Sequence, residues 1–161
     1  MSGPSPLPQW LAWVRRLQAV SQTGLEYATD PFDRERYREI QAIAAAIAAG
    51  HSALPEADLL SVFASQSGYA TPKVDVRAAV FHEGKILLVR ERSDGLWTLP
   101  GGWADVGLTP AECAEKEALE ESGCRVRATR LLALLDRDRQ GHPPLLFHVY
   151  KVFIGCELLS D

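Results

Sequence analysis

Cysteine is scarce in this sequence, three residues in 161, and the scarcity narrows the chemistry at once. Cys113, Cys124 and Cys156 stand far apart, without the close spacing of a metal site or the pairing of a disulfide framework. They read as buried reduced thiols, which suits a reducing compartment. Any apolar run long enough to cross a bilayer is missing too, as is a charged N-terminal segment leading into an apolar one. A cytoplasmic protein without membrane contact is expected. Positive charge is not in excess: 17 lysines and arginines face 21 acidic residues, a formal net charge of -4. General affinity for nucleic acid needs a basic face, so that partner is excluded as an expectation, though a local basic pocket is not. No internal repeat or low-complexity tract stands out, and the alanine-rich stretch 42–49 is simply good helix.

What is present divides near residue 70. Hydrophobic residues make up 47% and charged residues 24%, a soluble globular balance with length for one domain or two small ones. Residues 1–69 read as a helical domain of three helices. Trp10, Trp13, Val14, Leu17 and Val20 recur at helical spacing. Asp30-Pro31 offers a capping oxygen and then a proline where no amide hydrogen is needed. Ile40, Ile43, Ala44 and Ile47 make a second stripe ending at Gly50. A third helix after Pro55 carries Leu59, Leu60, Val62 and Phe63. So short a bundle has a marginal core, and its packing partner is the rest of the chain, a second subunit, or both.

Gly68 to Pro72 reads as the linker, and residues 70–161 as the second domain. Val74, Val76, Ala78 and Val80 alternate, then Glu83-Gly84 turns the chain into a strand over Lys85 to Val89. A break at Leu99-Pro100-Gly101-Gly102 precedes one helix, and strand-like runs follow at Val126 to Leu135 and Leu145 to Cys156. The expected class is α/β (α+β), a mixed sheet with a loop and helix bearing the chemistry.

That helix, Leu108 to Gly123, is fully punctuated. Thr109 and Glu112 form a capping box, Pro110 takes the first helical position, Leu108 and Cys113 fall at staple positions, and Gly123 ends it. Glu117, Glu120 and Glu121 are spaced i, i+3 and i+4, so the three carboxylates share one face. Their mutual repulsion is relieved by a hard divalent cation with oxygen ligands, Mg²⁺ or Mn²⁺, which can lower the pKa of a bound water. A solvated acidic face is the plainer alternative.

Gly101-Gly102-Trp103-Ala104-Asp105-Val106-Gly107-Leu108-Thr109-Pro110, continued by Lys116-Glu117-Ala118-Leu119-Glu120-Glu121-Ser122-Gly123-Cys124, resembles the Nudix box, G-x5-E-x7-R-E-U-x-E-E-x-G-U. Trp10-Leu11, Thr23-Gly24-Leu25 and Asp33-Arg34-Glu35-Arg36-Tyr37 are similar to the helical domain that precedes some Nudix hydrolases of X-linked nucleoside diphosphates. The resemblance implies that Glu117, Glu120 and Glu121, with the carbonyl of Gly101, hold divalent cations, and that Glu117 and Glu120, with Lys116, serve catalysis. It implies attack of water on a phosphorus of the diphosphate, giving two phosphorylated products. It also implies a homodimer.

Two box positions depart from the pattern. Leu108 stands where glutamate is usual and Lys116 replaces arginine, a pair that in the family joins to steady a catalytic glutamate. Lysine keeps the charge without the bidentate fork. Leu108 reads instead as the helix staple, and Lys116 as an i,i+4 partner of Glu112. The chain also stops short of the strand and C-terminal helix usual in the family, leaving an expected bare sheet edge.

Arg77, Arg90, Arg137, Arg139, Tyr150 and Lys151 are the candidate substrate-binding residues, since arginine forks suit phosphate. His142 joins them in the turn Asp136–His142. His148 and Tyr150, alternating with Phe147 and Val149, read as one face of a strand. Trp97 and Trp103 either stack on a base or close the core. The sequence favours an enzyme that cleaves a nucleoside diphosphate linked to a group X, of the NDP-sugar, ADP-ribose or CDP-choline class. A nucleotide-sensing domain that no longer cleaves, and a helical interaction module serving a partner, are the alternatives.

Overall fold

Three helices fill the first third of the chain: α1 (Gln9–Tyr27), α2 (Pro31–Ala49) and α3 (Glu56–Ala64). The structure is a computed structural model and describes residues 7–160. Asp30 caps α2, accepting from the amides of Phe32 at 2.9 Å and Asp33 at 3.1 Å, with Pro31 next to it as expected. The buried faces are Leu11, Val14, Gln18 and Ser21 of α1, Gln41, Ala44, Ala45 and Ala48 of α2, and Leu59 and Phe63 of α3.

This corrects the expected stripes by part of a turn. Trp13, Val20 and Ile43 are 51%, 54% and 47% exposed, and alanines take the inner positions. Helix separation follows the side chains at the contact, so small residues bring the helices close and turn the larger ones outward. Gly24 serves the same end, since a Cβ there would overlap the ring of Tyr37.

The helical unit extends beyond its last helix. Gln22 donates to the carbonyls of Ser67 and Gly68 at 3.0 and 3.2 Å, and the Ala70 amide donates to Thr23 Oγ1 at 3.2 Å. By its contacts this unit runs to Pro72 and takes in Gly141–His148. Leu146 packs on the cluster around Val14, and the Arg15 guanidinium donates to the carbonyls of Leu145 and Leu146. The strand expected from Leu145 therefore starts later, because Leu146 packs in the helical core and both carbonyls are taken by Arg15.

The second unit holds β1 (Lys73–His82), β2 (Lys85–Ile86), β3 (Val89–Arg90), β4 (Trp97–Thr98), β5 (Gly101–Trp103), α4 (Pro110–Ser122), β6 (Arg125–Asp136) and β7 (Val149–Ser160). Glu83 and Gly84, both at positive φ (48° and 74°), close the β1–β2 hairpin with Phe81 opposite Ile86. The strand expected over Lys85 to Val89 breaks after Ile86, because Val89 and Arg90 pair with Thr98 and Trp97 in a separate ribbon. In the main sheet β7 runs parallel to β1 and antiparallel to β6, in the order β2-β1-β7-β6, with β5 also on β1. The class is α/β with a mixed sheet.

Alternation sorts the sheet's two faces. Val76, Ala78 and Val80 of β1, with Val152, Ile154 and Cys156 of β7, form the core against Cys113, Ala114 and Ala118 of α4. All three cysteines are free, and burial pushes the Cys156 thiol up to about 11, so it stays a thiol. Among the described residues no helix is long and apolar enough to cross a membrane.

Candidate active site

The glycine turn and α4 are locked to β1. Gly101 adopts φ 149°, and a Cβ there would overlap the carbonyl oxygen of Val76, so only glycine lets the turn lie on the strand. The Ala78 amide donates to the Pro100 carbonyl at 2.8 Å, and Arg77 pairs with Gly101. At the start of α4 the capping box closes as the sequence implies. Thr109 Oγ1 accepts from the Glu112 amide at 3.2 Å, and Glu112 Oε2 accepts from the Thr109 amide at 2.7 Å. Gly123 ends the helix in the left-handed conformation, φ 77°.

Each glutamate of the acidic face meets a different neighbour. Glu121 Oε2 accepts from the Gly101 amide at 3.0 Å. Glu117 lies over Gly102, where a Cβ would stand 3.2 Å from Glu117 Oε1. Glu120 Oε2 is 3.1 Å from Lys116 Nζ, which also donates to Asp105 Oδ2 at 3.0 Å. The expected Lys116–Glu112 pair is therefore not what forms, because Glu112 is engaged at the helix cap. Burial raises the Glu117 pKa, and the charges of Glu121 and Glu120 push it further the same way. Hydrogen bonds to Asp105 and then Glu120 hold the Lys116 ammonium above its ordinary range. Three carboxylates on one helix face, under mutual repulsion, are hard oxygen donors of the kind Mg²⁺ or Mn²⁺ takes. The acidic and histidine ligand atoms that lie within 4.8 Å of one another among the described residues are, by contrast, those of Asp136, Asp138 and His148.

The candidate phosphate-binding residues separate into two kinds. Arg77 grips Asp75 through two bonds of 2.9 and 2.8 Å, and donates to Leu99 O at 3.1 Å and Thr98 Oγ1 at 3.4 Å. Lys151 donates to the same Asp75 at 2.9 Å, across the parallel β1–β7 pairing. All three side chains are at most 13% exposed. Burial alone would raise the Asp75 pKa, but the bonds from Arg77 and Lys151 outweigh it and hold the carboxyl below the usual range. Burial lowers the Lys151 pKa, its bond to Asp75 notwithstanding.

The others stand at the surface. Arg90 donates to Gly95 O at 2.8 Å, Arg139 is largely exposed 4.0 Å from Asp136, and Arg137 opens a 3-10 turn, Arg137–Arg139. Tyr150 is exposed and, one residue from Lys151 on β7, faces the opposite side of the sheet. Phe147 and His148 precede that strand, so the alternation expected from 147 to 150 holds only from Val149. Trp97 and Trp103 are 66% and 53% exposed and do not close the core. Leu108 is 38% exposed.

Two residues escaped the sequence reading, Asp75 and Asp105. A lone acid inside an apolar strand is rarely buried unpaired, so Asp75 could have been singled out as needing a cation. Nothing in the spacing marks Asp105. A cleft of about 610 Å³ in the helical unit, lined by Val20, Thr23, Tyr27, Asp33, Tyr37 and Tyr69 among others, contains none of the box glutamates.

A mixed sheet carrying an acidic helix against a double-glycine turn has the architecture of a Nudix-type pyrophosphohydrolase, and comparison with known proteins agrees. Residues 8–63 match the family profile described as the UDP-X-like, N-terminal oligomerisation domain, and residues 71–158 match the NUDIX domain. The chain belongs to the Nudix family. It is 45% identical over 150 residues to a Bacillus subtilis (strain 168) protein named "Putative ADP-ribose pyrophosphatase YjhB", covering 93% of this chain and 72% of that one. An ADP-ribose pyrophosphatase of Methanocaldococcus jannaschii is 33% identical over 96 residues, 56% of each chain. The crystal structure of a UDP-X diphosphatase matches with a TM-score of 0.54 and 36% identity, over 94% of this chain and 74% of the other.

Proposed function

We propose that this enzyme hydrolyses the diphosphate linkage of a nucleoside diphosphate joined to a group X, with ADP-ribose and UDP-linked compounds the first candidates. The names of the similar proteins support that substrate class. The observation that carries the reading is that Glu121 and Glu117 lie against the Gly101-Gly102 turn while Glu120 is held by Lys116 one turn along the same helix. Glu117, Glu120, Glu121 and the Gly101 carbonyl would hold Mg²⁺ or Mn²⁺. The ion supplies charge neutralisation at the phosphates and a more acidic water. Glu117 and Glu120, with Lys116 holding Glu120, are the residues that would serve catalysis: a carboxylate would take the proton of the attacking water, and attack at phosphorus would break its bond to the bridging oxygen. Arg77 and Lys151, which share the Asp75 carboxylate, are the buried members of the candidate phosphate-binding set, and Arg90, Arg137, Arg139 and Tyr150 complete it.

A homodimer fits the helical unit. Trp13, Val20 and Tyr27 recur every seven residues of α1, so they share one face, and each is more than half exposed.

The test is product release from a panel of nucleoside diphosphate derivatives with Mg²⁺, with Mn²⁺ and with chelator. Cleavage that chelator abolishes supports the proposal, and the preferred panel member names X. Binding without cleavage by folded protein favours the sensing module that Leu108 and Lys116 suggest.

A further inference from the structure

Position 108 holds a leucine where the Nudix box has glutamate, so the carboxylate expected beside residue 116 is missing from its usual place. The cation at 116 is nonetheless held. Lys116 Nζ lies 3.0 Å from Asp105 Oδ2 and 3.1 Å from Glu120 Oε2, an ammonium set between two carboxylates. The backbone explains how residue 105 reaches. The Leu108 amide donates to the Asp105 carbonyl at 3.3 Å, closing a turn in which 105 and 108 are the two ends, with Gly107 at φ 92° inside it. Side chains at those ends start from neighbouring points, so a carboxylate lost at one can be supplied from the other.

We propose that Asp105 is a positioning residue that takes over the part of the carboxylate absent at position 108, anchoring Lys116 so that Lys116 in turn aims Glu120. An arginine could engage two carboxylates with separate edges of a planar fork, but lysine offers a single point of charge. With Asp105 in place that charge is shared, and Glu120 keeps part of its own for other ligands. Without Asp105 the ammonium rests on Glu120 alone and competes with a cation for it. All three side chains are substantially exposed, between 39% and 56%, and exposed pairs contribute little to stability. The consequence of the arrangement is therefore the orientation of Glu120.

The metal-linked part of this inference rests on the function proposed above, so the experiment reads Lys116 directly as well. Full-length wild type, Asp105→Ala, Leu108→Glu and Asp105→Ala/Leu108→Glu are compared by three measurements. These are the Lys116 Nζ chemical shift through the adjoining methylene protons, calorimetric titration with Mn²⁺ alone, and kcat and KM on the best substrate of the panel. Asp105→Ala should move the Nζ shift, weaken Mn²⁺ binding about tenfold and lower kcat about tenfold, with KM and Tm nearly unchanged. Adding Leu108→Glu should recover all three, because the carboxylate is back at the other end of the turn. A structural role would lower Tm and would not respond to Leu108→Glu. An Nζ shift and Mn²⁺ affinity indifferent to Asp105→Ala overturn the inference, as does a double variant no better than the single. A wild type that cleaves nothing sinks the proposed reaction instead, and the Nζ shift still decides whether Asp105 or solvent holds Lys116.

Discussion

The helical unit keeps alanine inside and Trp13 outside, whereas the sheet unit keeps valine inside and buries its charge. In α1 and α2 the inner face is Val14 with Ala44, Ala45 and Ala48, while Trp13, Val20 and Tyr27 face outward. On β1 the alternation gives an apolar face to α4, and the other face carries Asp75 and Arg77. A helix that exposes Trp13, Val20 and Tyr27 along one face has a surface suited to meeting another. A strand whose only buried carboxylate is held by two cations is built around polar chemistry. On the function proposed above the units divide association from catalysis, and that division can be attacked from both sides.

The largest effect should come from the acidic face. Glu120→Gln is expected to lower kcat about a thousandfold, matching the several kcal/mol that a catalytic cation supplies. Light scattering should show its oligomeric state unchanged. Trp13→Glu is the converse: turnover per site should persist while self-association weakens. If Trp13→Glu abolishes turnover in a folded protein, the two roles are not separable.

Next in size is the charged side of the sheet. Asp75→Asn leaves Arg77 and Lys151 without their shared anion, and breaking such a buried pair typically costs about 3–5 kcal/mol. The pH dependence has a definite sign. The folded pKa of Asp75 is depressed, so its contribution is present above the unfolded value of about 4 and is lost as pH falls through the folded value. Denaturation midpoints of wild type and Asp75→Asn should therefore differ most near neutrality and converge in acid. A constant difference at all pH values would mean that Asp75 matters for its shape and not its charge.

The helical unit offers a smaller test. A methyl at Gly24 has no room against the Tyr37 ring, so Gly24→Ala should destabilise by about 1–3 kcal/mol despite its better helix propensity. Gly24→Ala with Tyr37→Leu should recover part of that loss in chemical denaturation. No loss in the single variant would show that the α1–α2 approach tolerates spacing, and the alanine-lined interface would lose its explanation.

These contrasts also explain what the sequence could reveal. Helix ends were legible because capping is local: Asp30, Thr109, Glu112 and Gly123 act within a few residues of where they stand. The box glutamates were legible because their spacing alone puts them on one face. The inward face of α1 was not, since periodicity locates an apolar stripe but does not say whether a core or a second surface lies opposite. Leu145-Leu146 misled for a related reason. Two leucines before Phe147 and Val149 read as strand, and only the folded chain gives Leu146 to the helical core. Asp75 and Asp105 depend on partners brought in by the fold: Lys151 lies far along the chain, and Lys116 lies across a turn whose closure the sequence does not announce.

The smallest effect expected lies in the hairpin between β1 and β2, and it tests whether the sheet unit is stabilised independently of its site. Glu83 holds φ 48° ahead of Gly84 at 74°, the two-residue turn in which both centres need positive φ. A glutamate gains nothing from that conformation, and an L-residue there is disfavoured by roughly 1–2 kcal/mol unless its side chain can bond locally, as asparagine can. Glu83 bears no part of the proposed site, and its 4.0 Å contact with His82 is fully at the surface and contributes little, so its replacement reads mainly the backbone term. Glu83→Asn should stabilise by about 0.5–1 kcal/mol, seen as a higher denaturant midpoint with unchanged slope. Turnover should be unaltered, because the hairpin turn holds none of the residues of the proposed site. A midpoint that rises while kcat falls would tie the hairpin to the Gly101 turn and make β1 a mechanical link, not merely a floor.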